Sequence, residues 1–204
     1  MRIFVTGTGT NVGKSVVSAW LCLHLPATYW KPIQSGMFEE TDREFVTRLG
    51  VASFPETYRL PKPLSPHASA AHAGVRIRLD EIIPPAADRL VIEGAGGLLV
   101  PLNEHATIAD LIAQLALPIL IVAPSGLGTI NSTCLTLEAL RARSLPLLGV
   151  VMVGEPNPIN RRAIEHFGET TVLGELAHLP VVDADTLAAI ALPSALREAC
   201  ERTP

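Results

Sequence analysis

The chain has 204 residues, 48% hydrophobic and 18% charged, which suits one domain with a sizeable core and excludes intrinsic disorder over most of its length. The formal net charge is −4 and no Lys/Arg cluster occurs, which argues against nucleic acid as the main ligand. Cys22, Cys134 and Cys200 have no paired spacing, so neither a disulfide framework nor a zinc site is expected, and a reducing, cytoplasmic compartment is.

Residues 2–6 form a first apolar strand, with no stretch before it long enough for a secretory signal. A helix follows over 13–25, then a strand over 28–31 and a short helix over 42–49 that Thr41 or Asp42 can cap. Residues 50–87 are proline-rich and weakly periodic, and read as loops with short strands. A strand over 89–93 runs into a Gly-rich turn. Helices over 108–115, 130–143, 160–167 and 185–201 alternate with strands over 118–123, 147–153 and 171–173. Residues 111–137 carry no charge, but Pro118, Pro124, Gly126 and Gly128 divide them into a helix end, a buried strand and a new helix rather than a membrane span. Strands apolar on both faces and alternating with helices predict an α/β fold: one doubly wound, mostly parallel sheet with helices on both faces, across residues 1–204. Ligands of such sheets bind at the carboxyl ends of the strands.

The strongest motif lies at the first of these ends: Gly7-Thr-Gly-Thr-Asn-Val-Gly13-Lys14-Ser15 follows a strand and opens a helix. That context suits a phosphate-binding loop, with Lys14 reaching the β/γ-phosphates and Ser15 meeting Mg²⁺. The motif is a variant, because Thr8 stands where the strict pattern has glycine. Glu93 ends a strand in Val91-Ile-Glu-Gly-Ala-Gly-Gly97 and fits an outer Mg²⁺ ligand. Asp42 is either a third metal ligand or a helix cap. Lys31, in Trp30-Lys-Pro-Ile-Gln-Ser-Gly36, is either a solvated lysine or a second phosphate-facing cation. In the latter role its loss should harm catalysis far more than folding. His67 has no partner at ligand spacing, Trp20 suits packing, and His24 suits a surface or satisfied position.

Together these segments, with Leu64-Ser-Pro-His67 and Gly126-Leu-Gly-Thr-Ile-Asn131, resemble dethiobiotin synthetases, in the family's order from residue 3 to about 180. The resemblance implies a P-loop NTPase-type fold and an ATP-dependent ligase of biotin biosynthesis acting on 7,8-diaminononanoate and CO₂. Lys14 and Lys31 would be catalytic, and Ser15, Asp42 and Glu93 would hold Mg²⁺. ATP would meet Gly9, Thr10, Asn11, Val12, Gly13, Lys14, Ser15 and Val16, then Glu93, Gly94, Ala95 and Gly96. Val153, Gly154, Ala177, His178 and Leu179 would lie toward its base. The diamine would meet Lys31, Ser35 and Gly96. Its carboxylate would cross a homodimer interface to Gly128, Thr129, Ile130 and Asn131 of the other copy. Three departures are visible: Asn11 replaces a frequent acidic residue, the strand over 150–154 ends without the adenine-reading Asn of some members, and the loop over 37–41 is short. Asn157 or His178 could reach in from nearby loops instead. A partition-type ATPase of similar fold usually carries an extra early lysine in the phosphate loop, absent here, and a glutaminase-bearing amidase needs a longer chain.

Overall fold

The computed structural model describes residues 1–38 and 40–203. Among them, seven parallel strands form one sheet in the order β4-β2-β6-β1-β7-β8-β9. The strands are β1 (Arg2–Gly7), β2 (Thr28–Trp30), β4 (Ser53–Phe54), β6 (Leu90–Gly97), β7 (Ile119–Pro124), β8 (Leu147–Val153) and β9 (Val172–Leu176). A second, two-stranded parallel sheet pairs β3 (Ile33–Ser35) with β5 (Tyr58–Leu60).

Period-two alternation divides the core between the two faces of the sheet. Ile3 and Val5 of β1 join Val17, Trp20 and Leu21 of helix α1 (Lys14–His24) on one face. Phe4 points the other way, with Ile108 and Ile112 of α4 (Ile108–Leu115) and Leu137 and Leu140 of α5 (Thr129–Arg141). Both faces are therefore covered, which is why β7 is apolar at every position but its last. Trp20 is fully buried and donates its indole N–H to the Ile190 carbonyl at 2.8 Å.

The remaining helices are α2 (Asp42–Arg48), α3 (Pro66–His72), α6 (Pro158–Phe167), α7 (Ala184–Ala189) and α8 (Ser194–Glu201). The helix expected over 185–201 is thus two helices. Pro193 has no N–H to donate and its ring crowds the preceding turn, so the chain breaks there and restarts at Ser194. The proline-rich 50–87 stretch contains α3, which begins on Pro66 at a first-turn position where the missing N–H costs nothing. Cys22 and Cys200 are buried free thiols, and burial pushes the Cys200 thiol up to about 12, so neither is a ready nucleophile. His24 departs from expectation, because its Nε2 is buried without a hydrogen-bond partner among the described residues.

Sheet order places β1 between β6 and β7, so the chain leaves β1 at the point where successive connections go to opposite sides. No helix among the described residues is long and apolar enough to cross a membrane.

Candidate active site

The register of β1, β6 and β2 brings the site together. Val5 pairs with Glu93, and Trp30 pairs with Ile92, so Lys31 emerges beside Glu93 one residue further on. Lys31 and Glu93 are buried, at 5% and 1% exposure. Lys31 Nζ lies 2.8 Å from Glu93 Oε1 and 2.7 Å from Asp42 Oδ2. Burial alone would lower the Lys31 pKa, but the Glu93 and Asp42 carboxylates outweigh it and hold the value above that of an ordinary lysine. The same burial would raise Asp42, and Lys31 reverses it, so Asp42 titrates below its usual range. Lys31 is thus an internal, fully charged ion-pair partner rather than a solvated lysine.

The loop from Thr8 to Gly13 joins β1 to α1. Gly13 caps α1 with φ +93°, a left-handed conformation, and a Cβ there would meet Val153 Cγ1 at 3.0 Å. Glycine is required at this position on both counts. It brings Val153 of β8 against the loop. Having no side chain, Gly13 leaves the first amides of α1 without a side-chain acceptor. Lys14 folds back over the loop, its Nζ donating to the Gly9 carbonyl at 2.9 Å. Burial lowers its pKa, and Glu93 only partly compensates.

Ser15 Oγ lies 2.5 Å from Asp42 Oδ1 and 3.0 Å from Glu93 Oε1, so one hydroxyl proton serves two carboxylates. Glu93 Oε2 accepts from Tyr29 OH at 2.9 Å. The sequence reading missed Tyr29, although it stands two residues before Lys31 on the same face of the chain. Asp42 does not cap α2. Thr41 does, accepting from the Glu44 amide while Glu44 Oε2 accepts the Thr41 N–H at 2.9 Å. The Asp42 carboxylate is therefore available to the cluster. Thr41→Ala is expected to destabilise the fold by about 0.5–2 kcal/mol, measured by urea unfolding; an unchanged midpoint would contradict the capping role.

Lys14, Ser15, Lys31, Asp42 and Glu93 line a cavity of about 980 Å³ together with Gln34, Ser35, Ala95 and Gly96. Its wall also includes Pro66, the first residue of α3. His67 is exposed beside it, with Nδ1 3.1 Å from Ser65 Oγ. Thr10, Asn11 and Val16 border the same cavity, and Val12 packs under the loop against Gly7. A Cβ on Gly94 would strike the Phe4 ring at 2.9 Å, which fixes glycine beside Glu93.

Other sequence candidates lie elsewhere. Asn131 faces a separate groove, with Thr8, Gly9 and Thr10 across from it. Gly128 caps α5 with φ +91°, and Thr129 is buried beneath it. Gly154 follows β8 against Ser125 and near His178 Nε2, with Ala177 and His178 exposed and Leu179 half-buried. Asn157 is committed to capping α6 through the Asn160 amide at 3.0 Å, which leaves His178 as the imidazole beside this strand end.

Chemically, the site offers two buried cations, two carboxylates, a hydroxyl and an open helix N-terminus, the equipment of phosphoryl transfer. Among the described residues no group of three or more His, Cys, Asp or Glu side chains converges as a metal site. Two carboxylates and a hydroxyl do converge, and they are the hard oxygen donors that suit Mg²⁺, which keeps much of its water and substrate phosphate. Lys31 neutralises one of the two carboxylate charges and leaves one for a cation.

The family model described as "AAA domain" matches residues 1–186. The fold is similar to a ParA family ATPase from Chlorobium tepidum TLS (TM-score 0.58, 10% identity, covering 98% of this chain and 95% of that one). It is also similar to the MinC:MinD cell division protein complex of Aquifex aeolicus (TM-score 0.59, 12% identity, 98% and 94% covered). At such identities the likeness is one of fold alone. Sequence likeness is much closer to the ATP-dependent dethiobiotin synthetase BioD of Paramagnetospirillum magneticum, 55% identical over 94% of this chain and 95% of that protein. The corresponding protein of Brucella ovis is 51% identical over 89% of this chain and 87% of its own length. With both chains covered almost end to end and the phosphate loop and carboxylate cluster assembled at one sheet edge, the chain belongs to the family of ATP-dependent dethiobiotin synthetases.

Proposed function

We propose that residues 1–204 act as one P-loop ATPase-like domain that joins 7,8-diaminononanoate to CO₂ at the expense of ATP, giving dethiobiotin, ADP and phosphate. The observation that carries this reading is the cluster of Lys31, Asp42, Glu93 and Ser15 beside Lys14 at the open end of α1. Family membership supplies the substrates.

In this reading one substrate amine adds to CO₂ and loses a proton, forming a carbamate. The carbamate oxygen attacks the γ-phosphorus and displaces ADP, giving a carbamic-phosphoric anhydride. The second amine then attacks the carbonyl carbon, closes the five-membered ureido ring and expels phosphate. No covalent enzyme intermediate is needed; positioning and charge suffice. Gly9 to Val16 cradle the triphosphate, with Lys14 at the transferring group. Lys31 stabilises the negative carbamate and the charge that develops on its oxygen. Ser15, Asp42 and Glu93 hold Mg²⁺, which when bound neutralises phosphate charge. Ser35 and Gly94 to Gly96 line the diamine end. The reaction suits a cytoplasmic enzyme.

The test of the reading is incubation of the purified chain with diaminononanoate, bicarbonate, Mg²⁺ and ATP, followed by mass analysis. Dethiobiotin is the expected product, and ATP consumed without it would overturn the proposal.

We also propose a homodimer, supported by exposed Leu99 and Leu135 on the groove that Asn131 faces. The helix end from Gly128 to Asn131 then receives the substrate carboxylate from the other copy. Mixing inactive Lys14→Met with inactive Asn131→Asp is expected to restore partial activity, because a hybrid dimer contains one intact site. No recovery in demonstrably mixed dimers would contradict the shared site.

At the nucleotide base, β8 ends on Val153 and Gly154 without a side-chain amide. Base preference is expected to be modest, about one or two tenfold steps at roughly 1.4 kcal/mol each. Values of kcat/KM for ATP, CTP, GTP and UTP check this; a preference for ATP beyond about a thousandfold would mean that a side chain reads adenine.

A further inference from the structure

Gln34 on β3 is 6% exposed and lines the same cavity as Lys14, Lys31 and Glu93. Its side-chain N–H₂ group is spent on its own turn, donating to the Ser35 carbonyl at 3.2 Å and the Gly36 carbonyl at 3.4 Å. Turning the amide over would set its oxygen against those two carbonyls, so the orientation is fixed. Among the described residues Oε1 is thereby left as a buried acceptor without a partner, and the neighbouring Ser35 Oγ is a second buried oxygen in the same condition. A buried acceptor without a donor carries a desolvation cost, and native proteins retain few of them. Two on adjacent residues in the wall of one cavity point to a ligand that brings N–H donors.

We propose that Gln34 Oε1 accepts a hydrogen bond from one of the substrate's two amino groups and makes Gln34 a specificity residue for a diamine, an inference that rests on the proposed reaction. The choice of an amide has a chemical reason. Its oxygen is uncharged and hardly basic, so it orients an amine without stabilising the ammonium form as a carboxylate would. The Lys14 and Lys31 cations in the same cavity are matched by the Asp42 and Glu93 carboxylates, and an uncharged amide leaves that balance unchanged. A neutral amine that donates one N–H there keeps its lone pair free for attack. Ser35, whose hydroxyl can accept as well as donate, completes the pair of contacts.

The test compares wild type with Gln34→Met, which keeps the length and apolar volume of the side chain but removes the acceptor, and with Gln34→Asn, which withdraws the acceptor while keeping an amide. Calorimetry gives the affinity of each protein for the diamine and for 7-aminononanoate and 8-aminononanoate; turnover gives KM for ATP; thermal unfolding reports the fold. Wild type is expected to bind the diamine about tenfold more tightly than one of the two monoamines, the value of one hydrogen bond. In both variants that gap closes, while KM for ATP stays within about twofold. A gap that persists, or equal losses for the diamine, both monoamines and ATP, would overturn the assignment. Failure of wild type to form dethiobiotin would instead overturn the reaction on which it rests.

Discussion

Lys31→Met is expected to lower kcat by about 10²–10³, the usual cost of removing one charge aimed at a developing anion, and to destabilise the protein at the same time. The second effect revises what the sequence alone suggested. Lys31 is the cation between two carboxylates, one of them 1% exposed. Breaking a buried pair by deleting one partner costs about 3–5 kcal/mol, because the remaining charge stays buried. Tyr29 and Ser15 still hydrogen-bond Glu93, and the Asp42 side chain is 31% exposed, so the lower end of that range applies. The pH dependence has a definite sign. The folded pKa of Lys31 is raised, so its contribution is complete below the unfolded lysine value and fades as pH climbs through the folded one. The stability deficit of the variant should therefore be full near neutrality and shrink in strongly alkaline solution. Urea unfolding of both proteins from about pH 7 to pH 11 measures it; a deficit independent of pH would contradict the ion-pair account.

Lys14→Met is expected to lower turnover by at least as much, yet to leave the fold as stable as wild type or more so. The two lysines share one cavity and differ in their partners. Among the described residues Lys14 hydrogen-bonds the Gly9 carbonyl alone, and burial lowers its pKa. A lowered lysine pKa means that the folded state disfavours the charge, a penalty present below the folded pKa and relieved above it. A neutral side chain of similar length removes that penalty and keeps the methylene packing against the loop. In the proposed reaction the charge held there at a cost in stability meets the transferring phosphoryl group. ATP should accordingly raise the unfolding temperature of wild type well beyond that of the variant. A variant substantially less stable than wild type in the absence of ATP would show that Lys14 supports the fold.

Most of the architecture was legible because its signals are local. The apolar runs that became β1, β7 and β8, and the helix over residues 108–115, lie where the periodicity put them, and the phosphate loop is contiguous in sequence. The final helix was misread because a 3.6-residue pattern continues through Leu192 and Leu196 while Pro193 interrupts the backbone. The pairing of β3 with β5 was invisible, since strands of three residues carry no periodicity. At the site, residue types were readable but partners were not. Lys31 reads as a lysine after a strand; only the register of β2 against β6 sets it beside Glu93. Thr41 and Asp42 were equivalent cap candidates until the capping box chose Thr41. Gln34 carried no signal, because an orphaned acceptor is a property of what surrounds it.

The central claim is that carbamate formation precedes phosphoryl transfer at the Lys14 and Lys31 pair, and the fate of the CO₂ oxygens tests it most directly. The purified chain is incubated with diaminononanoate, Mg²⁺, ATP and CO₂ labelled with ¹⁸O, and the products are analysed by mass spectrometry before the label exchanges with water. The carbamate oxygen that attacks phosphorus leaves with it, so the account predicts phosphate carrying one labelled oxygen and dethiobiotin carrying the other in its ureido carbonyl. Dethiobiotin formed alongside unlabelled phosphate would contradict it.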